Sequence, residues 1–214
     1  MLKHVMPSID YYVWLMSDWA YLGQVRFSQM ATRHGISVNY IPMRMQDVYA
    51  GSGGIVLEKR SWQRRAYRIE ELKRWSERLG ISVNIEPAYF PVDVDVASCM
   101  VIAAQNSGLK VENLAHAMMC AIWVEDENLA DRETLLKTAD RAGYDAKALL
   151  EAAAVHEVRQ EYASNTARAL EAGVFGSPFY VFDGERFWGQ DRLDMLEERL
   201  IRAKGADLGR RPES

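Results

Sequence analysis

Ser17 and the pair Ser177-Pro178 are the residues around which chemistry can be built, because each sets a polar group at a chain reversal beside an apolar run. Ser17 stands between the apolar residues 9–15 and a helical pattern, and in open α/β sheets ligands gather at the carboxyl ends of such strands. Its plain reading is a helix N-cap contributing about 1 kcal/mol. The sharper reading uses the positive end of the helix, where a hydroxyl and free N–H groups stabilise an anion, a thiolate included. No His-Asp partnership accompanies Ser17, so it reads as a hydrogen-bond donor and not as a covalent nucleophile.

Pro178 opens the strand pattern 179–182, a position that suits a residue with fixed φ and no ladder donor. A cis bond before it would turn the Ser177 backbone N–H and C=O outward, toward an extended peptide-like ligand. A trans turn with no binding role is the alternative. Gln190-Asp191 opens the last helical pattern, either as an ordinary cap or with a carboxylate that holds a ligand ammonium. A basic face of Lys59, Arg60, Arg64, Arg65 and Arg68 follows the glycine-rich stretch 51–54, and one or two of its members can face a cleft.

Other chemistries find no support in the spacing. The glycines at 51–54 are not followed by Lys-Ser or Lys-Thr, so they make no phosphate loop. Cys99 and Cys120 match neither C-x-x-C nor a zinc set and read as buried thiols, and His4, His34, His116 and His156 have no metal spacing. No metal site is expected. A net charge of −4 gives no attraction for nucleic acid or anionic membrane. Trp19, Trp62, Trp75, Trp123 and Trp188 are too scattered for a nucleic-acid platform and are assigned mostly to core faces. No run approaches the length of a membrane span and no signal peptide is read at the N-terminus, so a soluble cytoplasmic protein is expected.

The elements that must position these residues follow from periodicity. Residues 9–15 form a strand buried on both faces, a helix runs from Ser17 or Asp18 to His34-Gly35, and residues 36–42 form a second strand. Residues 51–54 form a loop, and helices are expected at 57–79, 93–106, 111–124, 131–142 and 145–171. The strand 179–182 turns at Asp183-Gly184 into 186–188, and a last amphipathic helix carries Leu193, Leu196, Leu200 and Ile201. Strand–helix–strand, helices, then hairpin–helix is the order of an α/β thioredoxin-like domain with a large all-helical insertion. The boundaries expected are 1–44 and 172–206 for the discontinuous thioredoxin-like domain, 45–171 for the insertion and 207–214 for a flexible tail.

Val174-Phe175-Gly176-Ser177-Pro178 and, ten residues on, Phe187-Trp188-Gly189-Gln190-Asp191-Arg192-Leu193, with Asp10-Tyr11-Tyr12 leading to Ser17 and Arg74-Trp75, carry a family resemblance. Over nearly its full length the chain resembles the 2-hydroxychromene-2-carboxylate isomerases, the group that includes kappa-class glutathione transferases and is related to thioredoxin-fold disulfide oxidoreductases. The resemblance implies a glutathione site in which Ser17 contacts the sulfur, Ser177 before cis-Pro178 pairs its backbone with the cysteinyl part, and Gln190 and Asp191 hold the γ-glutamyl end. It implies reversible thiolate addition to an aromatic carboxylate substrate, with Arg64 as the residue holding a substrate or glutathione carboxylate, and a homodimer. A conjugating transferase and a non-catalytic binding protein are the alternatives. Ser17-Asp18-Trp19-Ala20 replaces the C-x-x-C of a redox enzyme. Two departures stand out: Asp18 where the family has proline, and Arg64 where it tends to have lysine.

Overall fold

The computed structural model describes residues 8–208; the N-terminal segment with His4, and residues 209–214 of the expected tail, lie outside them. Strand β1 (Ser8–Val13) runs through the middle of a four-stranded sheet. It pairs in parallel with β2 (Ser37–Pro42) and antiparallel with β3 (Phe179–Phe182), which pairs antiparallel with β4 (Glu185–Trp188). The order is β2-β1-β3-β4. Because β1 and β3 are antiparallel, the end of β1 and the beginning of β3 lie at the same edge. The register sets Tyr12 opposite Phe179, so the turns on either side of them, at Trp14–Ser17 and at Ser177-Pro178, meet.

Alternation along β1 divides the core. Ile9, Tyr11 and Val13 face a large cluster that includes Phe27 and Tyr180, and the Tyr11 and Tyr180 rings stack 5.1 Å apart. Tyr12 faces the other side, against Ile41, Val48, Ala169, Val174 and Phe179. Helix α1 (Asp18–His34) ends at Gly35, whose φ of +56° is the left-handed value a helix C-terminus requires. The tight turn Asp183-Gly184, with φ of +51° and +75°, closes the hairpin as expected.

Between β2 and β3 the chain is helical: α2 (Met45–Ser52), α3 (Trp62–Leu79), α4 (Asp95–Asn106), α5 (Glu112–Trp123), α6 (Arg132–Arg141), α7 (Ala146–Ala153) and α8 (His156–Glu171). Four expectations need correction. Gly51 and Ser52 end a helix, and the reversal falls at Gly53 instead of across a four-residue loop. The span 57–79 is a single 3-10 turn, Leu57–Lys59, followed by α3. The span 145–171 breaks into α7 and α8 near Ala154-Val155, which lets both helices pack on α4. Helix α9 (Leu193–Leu208) follows a short turn at Gln190–Arg192, so the expected tail begins inside a helix. Among the described residues no helix is long and apolar enough to cross a membrane.

Candidate active site

Ser17 is the N-cap of α1, with Oγ accepting from the Ala20 N–H at 3.2 Å. The same hydroxyl donates to the Ser177 carbonyl at 3.0 Å, and the Trp14 N–H donates to Ser177 Oγ at 2.9 Å. The two serines, 160 residues apart in sequence, are thus tied across the sheet edge, and both are buried. The cap and the site are one residue. The Ser177-Pro178 bond is cis, and the Ser177 N–H has no acceptor among the described residues.

The first turn of α1 is less open than a bare helix end. Its Trp19 N–H donates to Asp18 Oδ1 at 2.8 Å and its Ala20 N–H is held by Ser17, which leaves the Asp18 N–H as the donor without a partner among the described residues. Asp18 does not turn outward. It is buried and ion-paired with Arg68 of α3, whose guanidinium carbon stands 5.5 Å from the Phe90 ring centre and 5.9 Å from that of Trp123. Burial pushes the Asp18 carboxyl up from its ordinary value, and Arg68 pulls it back part of the way.

Two pockets flank Ser177. The first, of about 350 Å³, is lined by the apolar faces of Trp14, Tyr49 and Phe90 and by Ser17, Asp18 and Arg68. The second, of about 370 Å³, lies against Tyr67, Trp75, Trp188, Gln190 and Asp191. They share Trp19 and Ser177. Gln190 is buried, with its backbone carbonyl accepting from Arg26 at 2.8 Å and its side-chain oxygen contacting the same guanidinium. This leaves the Gln190 side-chain NH₂ without an acceptor among the described residues. Asp191 is half-exposed and pairs with Arg192 at 2.7 Å. An amide donor, a carboxylate and the free Ser177 N–H suit the amino-acid end and backbone of a small peptide, so the residues present fit glutathione.

The structure therefore brings Ser17, Ser177, Pro178, Gln190 and Asp191 to one edge of the sheet. It does not bring Arg64, which is exposed on α3 and absent from the lining of both pockets. One helical turn on, Arg68 takes the inward position, and Arg60 reaches the first pocket through bonds to the Ile55 carbonyl at 2.8 Å and the Tyr49 hydroxyl at 3.1 Å. The signal for Arg68 was Asp18 itself, since a carboxylate entering an apolar helix start requires a cation nearby. Two tryptophans assigned to the core, Trp62 and Trp188, are exposed. Burial pushes the Cys99 and Cys120 thiols up to about 11, and neither lies at this edge.

This arrangement sets N–H, amide and carboxylate groups beside two aromatic-lined cavities. Over 195 residues the chain is 28% identical to the 2-hydroxychromene-2-carboxylate isomerase of Sphingobium xenophagum, covering 91% of this chain and 98% of that one. A solved 2-hydroxychromene-2-carboxylate isomerase superposes with a TM-score of 0.76 at 25% identity, covering 94% of this chain and 98% of the other. A shorter match, 28% over 93 residues and 40% of this chain, is to glutathione S-transferase kappa 1 of Rattus norvegicus, of which it covers 41%. The family model for the DSBA-like thioredoxin domain matches residues 8–201, and the chain belongs to that family.

Proposed function

We propose that the protein is a glutathione-dependent isomerase of 2-hydroxychromene-2-carboxylate-type aromatic acids, acting as a cytoplasmic homodimer. The observation that carries this reading is the meeting of two aromatic-lined pockets over Ser177, one offering Gln190 and Asp191 and the other Arg68, with the Ser17 hydroxyl bonded to the Ser177 carbonyl. Glutathione, when bound, supplies a thiolate that adds reversibly to the conjugated system and frees a double bond to rotate. The chain supplies the rest. The Ser177 N–H and carbonyl offer a strand-like edge, the Gln190 amide suits a carboxylate, and Asp191 suits an ammonium.

Ser17 has the central part. Its hydroxyl donates to the Ser177 carbonyl, which keeps a second lone pair for a ligand N–H, and rotation of the hydroxyl would turn its proton toward the sulfur. A thiol of ordinary pKa near 8.5 is only a few per cent ionised at pH 7, and each unit of lowering takes about 1.4 kcal/mol of preferential anion stabilisation. The Ser17 hydroxyl and the Asp18 N–H are the donors available for it. The Asp18 charge is offset by Arg68, which keeps a bare carboxylate away from the anion.

Isothermal titration with reduced glutathione, followed by difference absorption near the thiolate band at about 240 nm, tests the reading. Saturable binding with that band supports it, and absence of binding removes it. The partial match to a kappa-class transferase favours one second reading, conjugation of glutathione to an electrophile. Product analysis separates the two, because an isomerase leaves glutathione unconsumed.

A further inference from the structure

The first pocket holds a charge pair that glutathione binding does not use. Asp18 and Arg68 have side chains only 8% and 13% exposed, and a lone charge at that depth is unfavourable, so each requires the other. Asp18 Oδ1 accepts from the Trp19 N–H, and Oδ2, which has no hydrogen-bond partner among the described residues, makes the charge contact with Arg68. Arg68 is different. A guanidinium carries five N–H donors in a planar fork, and among the described residues its ion pair is with Asp18 and none of its N–H groups has a hydrogen-bond acceptor. Its guanidinium lies beside the adjoining Phe90 and Trp123 rings, and it lines the same cavity as Trp14, Tyr49 and Phe90.

Arg60, the other cation on this wall, uses two of its N–H donors on the Ile55 carbonyl and the Tyr49 hydroxyl, and its charge still reaches Asp18. Glu58, which is exposed, also lines this pocket, so Arg60 and Arg68 stand against Asp18 and Glu58. At the buried end Arg68 still has N–H groups without an acceptor among the described residues, and an anionic group set among the aromatic walls would meet them.

We infer that Arg68, held in place by the buried Asp18, is the receptor for the carboxylate of an aromatic acid in this pocket, with Asp18 as its positioning residue. The inference rests on reading the pocket as an aromatic-acid site, and it does not depend on glutathione. A planar guanidinium meets a carboxylate through two parallel N–H bonds, which fixes the ring's orientation as well as its charge. The ring then lies against Trp14, Tyr49 and Phe90.

The test is isothermal titration of the full chain with 2-naphthoate and with its methyl ester, in the presence and absence of glutathione. The native protein should prefer the acid by at least about tenfold, the scale of a charged hydrogen bond. The double variant Asp18→Asn with Arg68→Met removes the pair together, strands no buried charge, and should bind acid and ester equally; Arg60→Met should keep the preference. Asp18→Asn alone strands the Arg68 charge and should strengthen acid binding over the native protein, and Asp18→Glu should stay near the native preference, whereas equal behaviour of these two would remove Asp18 as the partner of Arg68. No acid preference in the native protein, a preference that survives in the double variant, or one lost in Arg60→Met instead, overturns the assignment. Glutathione failing to bind while the acid preference persists would sink the cofactor reading and leave Arg68 its role.

Discussion

The two sides of the Ser177 cleft carry the same kind of ion pair at different depths. On the α3 side, Asp18 and Arg68 are buried among aromatic rings; on the α9 side, Asp191 and Arg192 have side chains 40% and 47% exposed. Depth decides what each pair can do. A buried pair is interdependent, because removing one partner leaves an unsolvated charge, while an exposed pair contributes little to stability and stays available to a ligand. One wall is therefore fixed in charge and geometry, and the other can exchange its partner for substrate.

The comparison is sharpest when Arg68 alone is replaced. Arg68→Met should cost about 3–5 kcal/mol in urea denaturation at pH 7, and the double variant with Asp18→Asn should recover most of it. The pH dependence has a definite sign. Burial already holds the Asp18 carboxyl above its ordinary value and Arg68 lowers it, so without Arg68 it rises further. A raised carboxyl takes up its proton in the folded state first, so the penalty applies above the folded pKa and fades as pH falls through it. A loss that is independent of pH would break the comparison.

Ser17→Ala should lower turnover by about ten- to a thousandfold in an isomerisation assay, the scale for one donor to a developing anion, while losing about 1 kcal/mol of stability as a cap. Unchanged turnover would reduce Ser17 to its cap. Gly23→Ala tests how firmly α1 holds the second wall: a Cβ there would stand 2.8 Å from Gln190 Cβ, so overpacking should cost about 1–3 kcal/mol and weaken glutathione binding measured by titration. The smallest stability effect belongs to Asp191→Asn, within about 0.5 kcal/mol by thermal melting. Its effect on glutathione affinity should be about tenfold. A large melting shift there would show that the two walls are alike.

Much of the frame was legible because short-range rules govern it. The alternation in β1, the Gly35 stop, the Asp183-Gly184 turn and the Leu193–Leu196–Leu200 stripe each depend on residues within a few positions of one another. What local rules missed were matters of contact. The α7–α8 break follows from two helices packing on α4, and Gly51 stays helical with its backbone set against Leu170 of α8. Spacing placed Arg64 and Arg68 on one face of α3, four residues apart. Which of them turns inward depended on Asp18, fifty positions earlier.

The strand–helix–strand opening, the closing hairpin and helix, and the candidacy of Ser17 and Ser177-Pro178 follow from the residues alone, because periodicity, caps and turn residues are local physics. It took the folded chain to set the Ser17 hydroxyl on the Ser177 carbonyl, Gln190 against Arg26, and Asp18 inward against Arg68. Those outcomes depend on desolvation. Whether a charge can be buried is settled by the partner the fold brings to it, and that partner comes from a distant part of the chain.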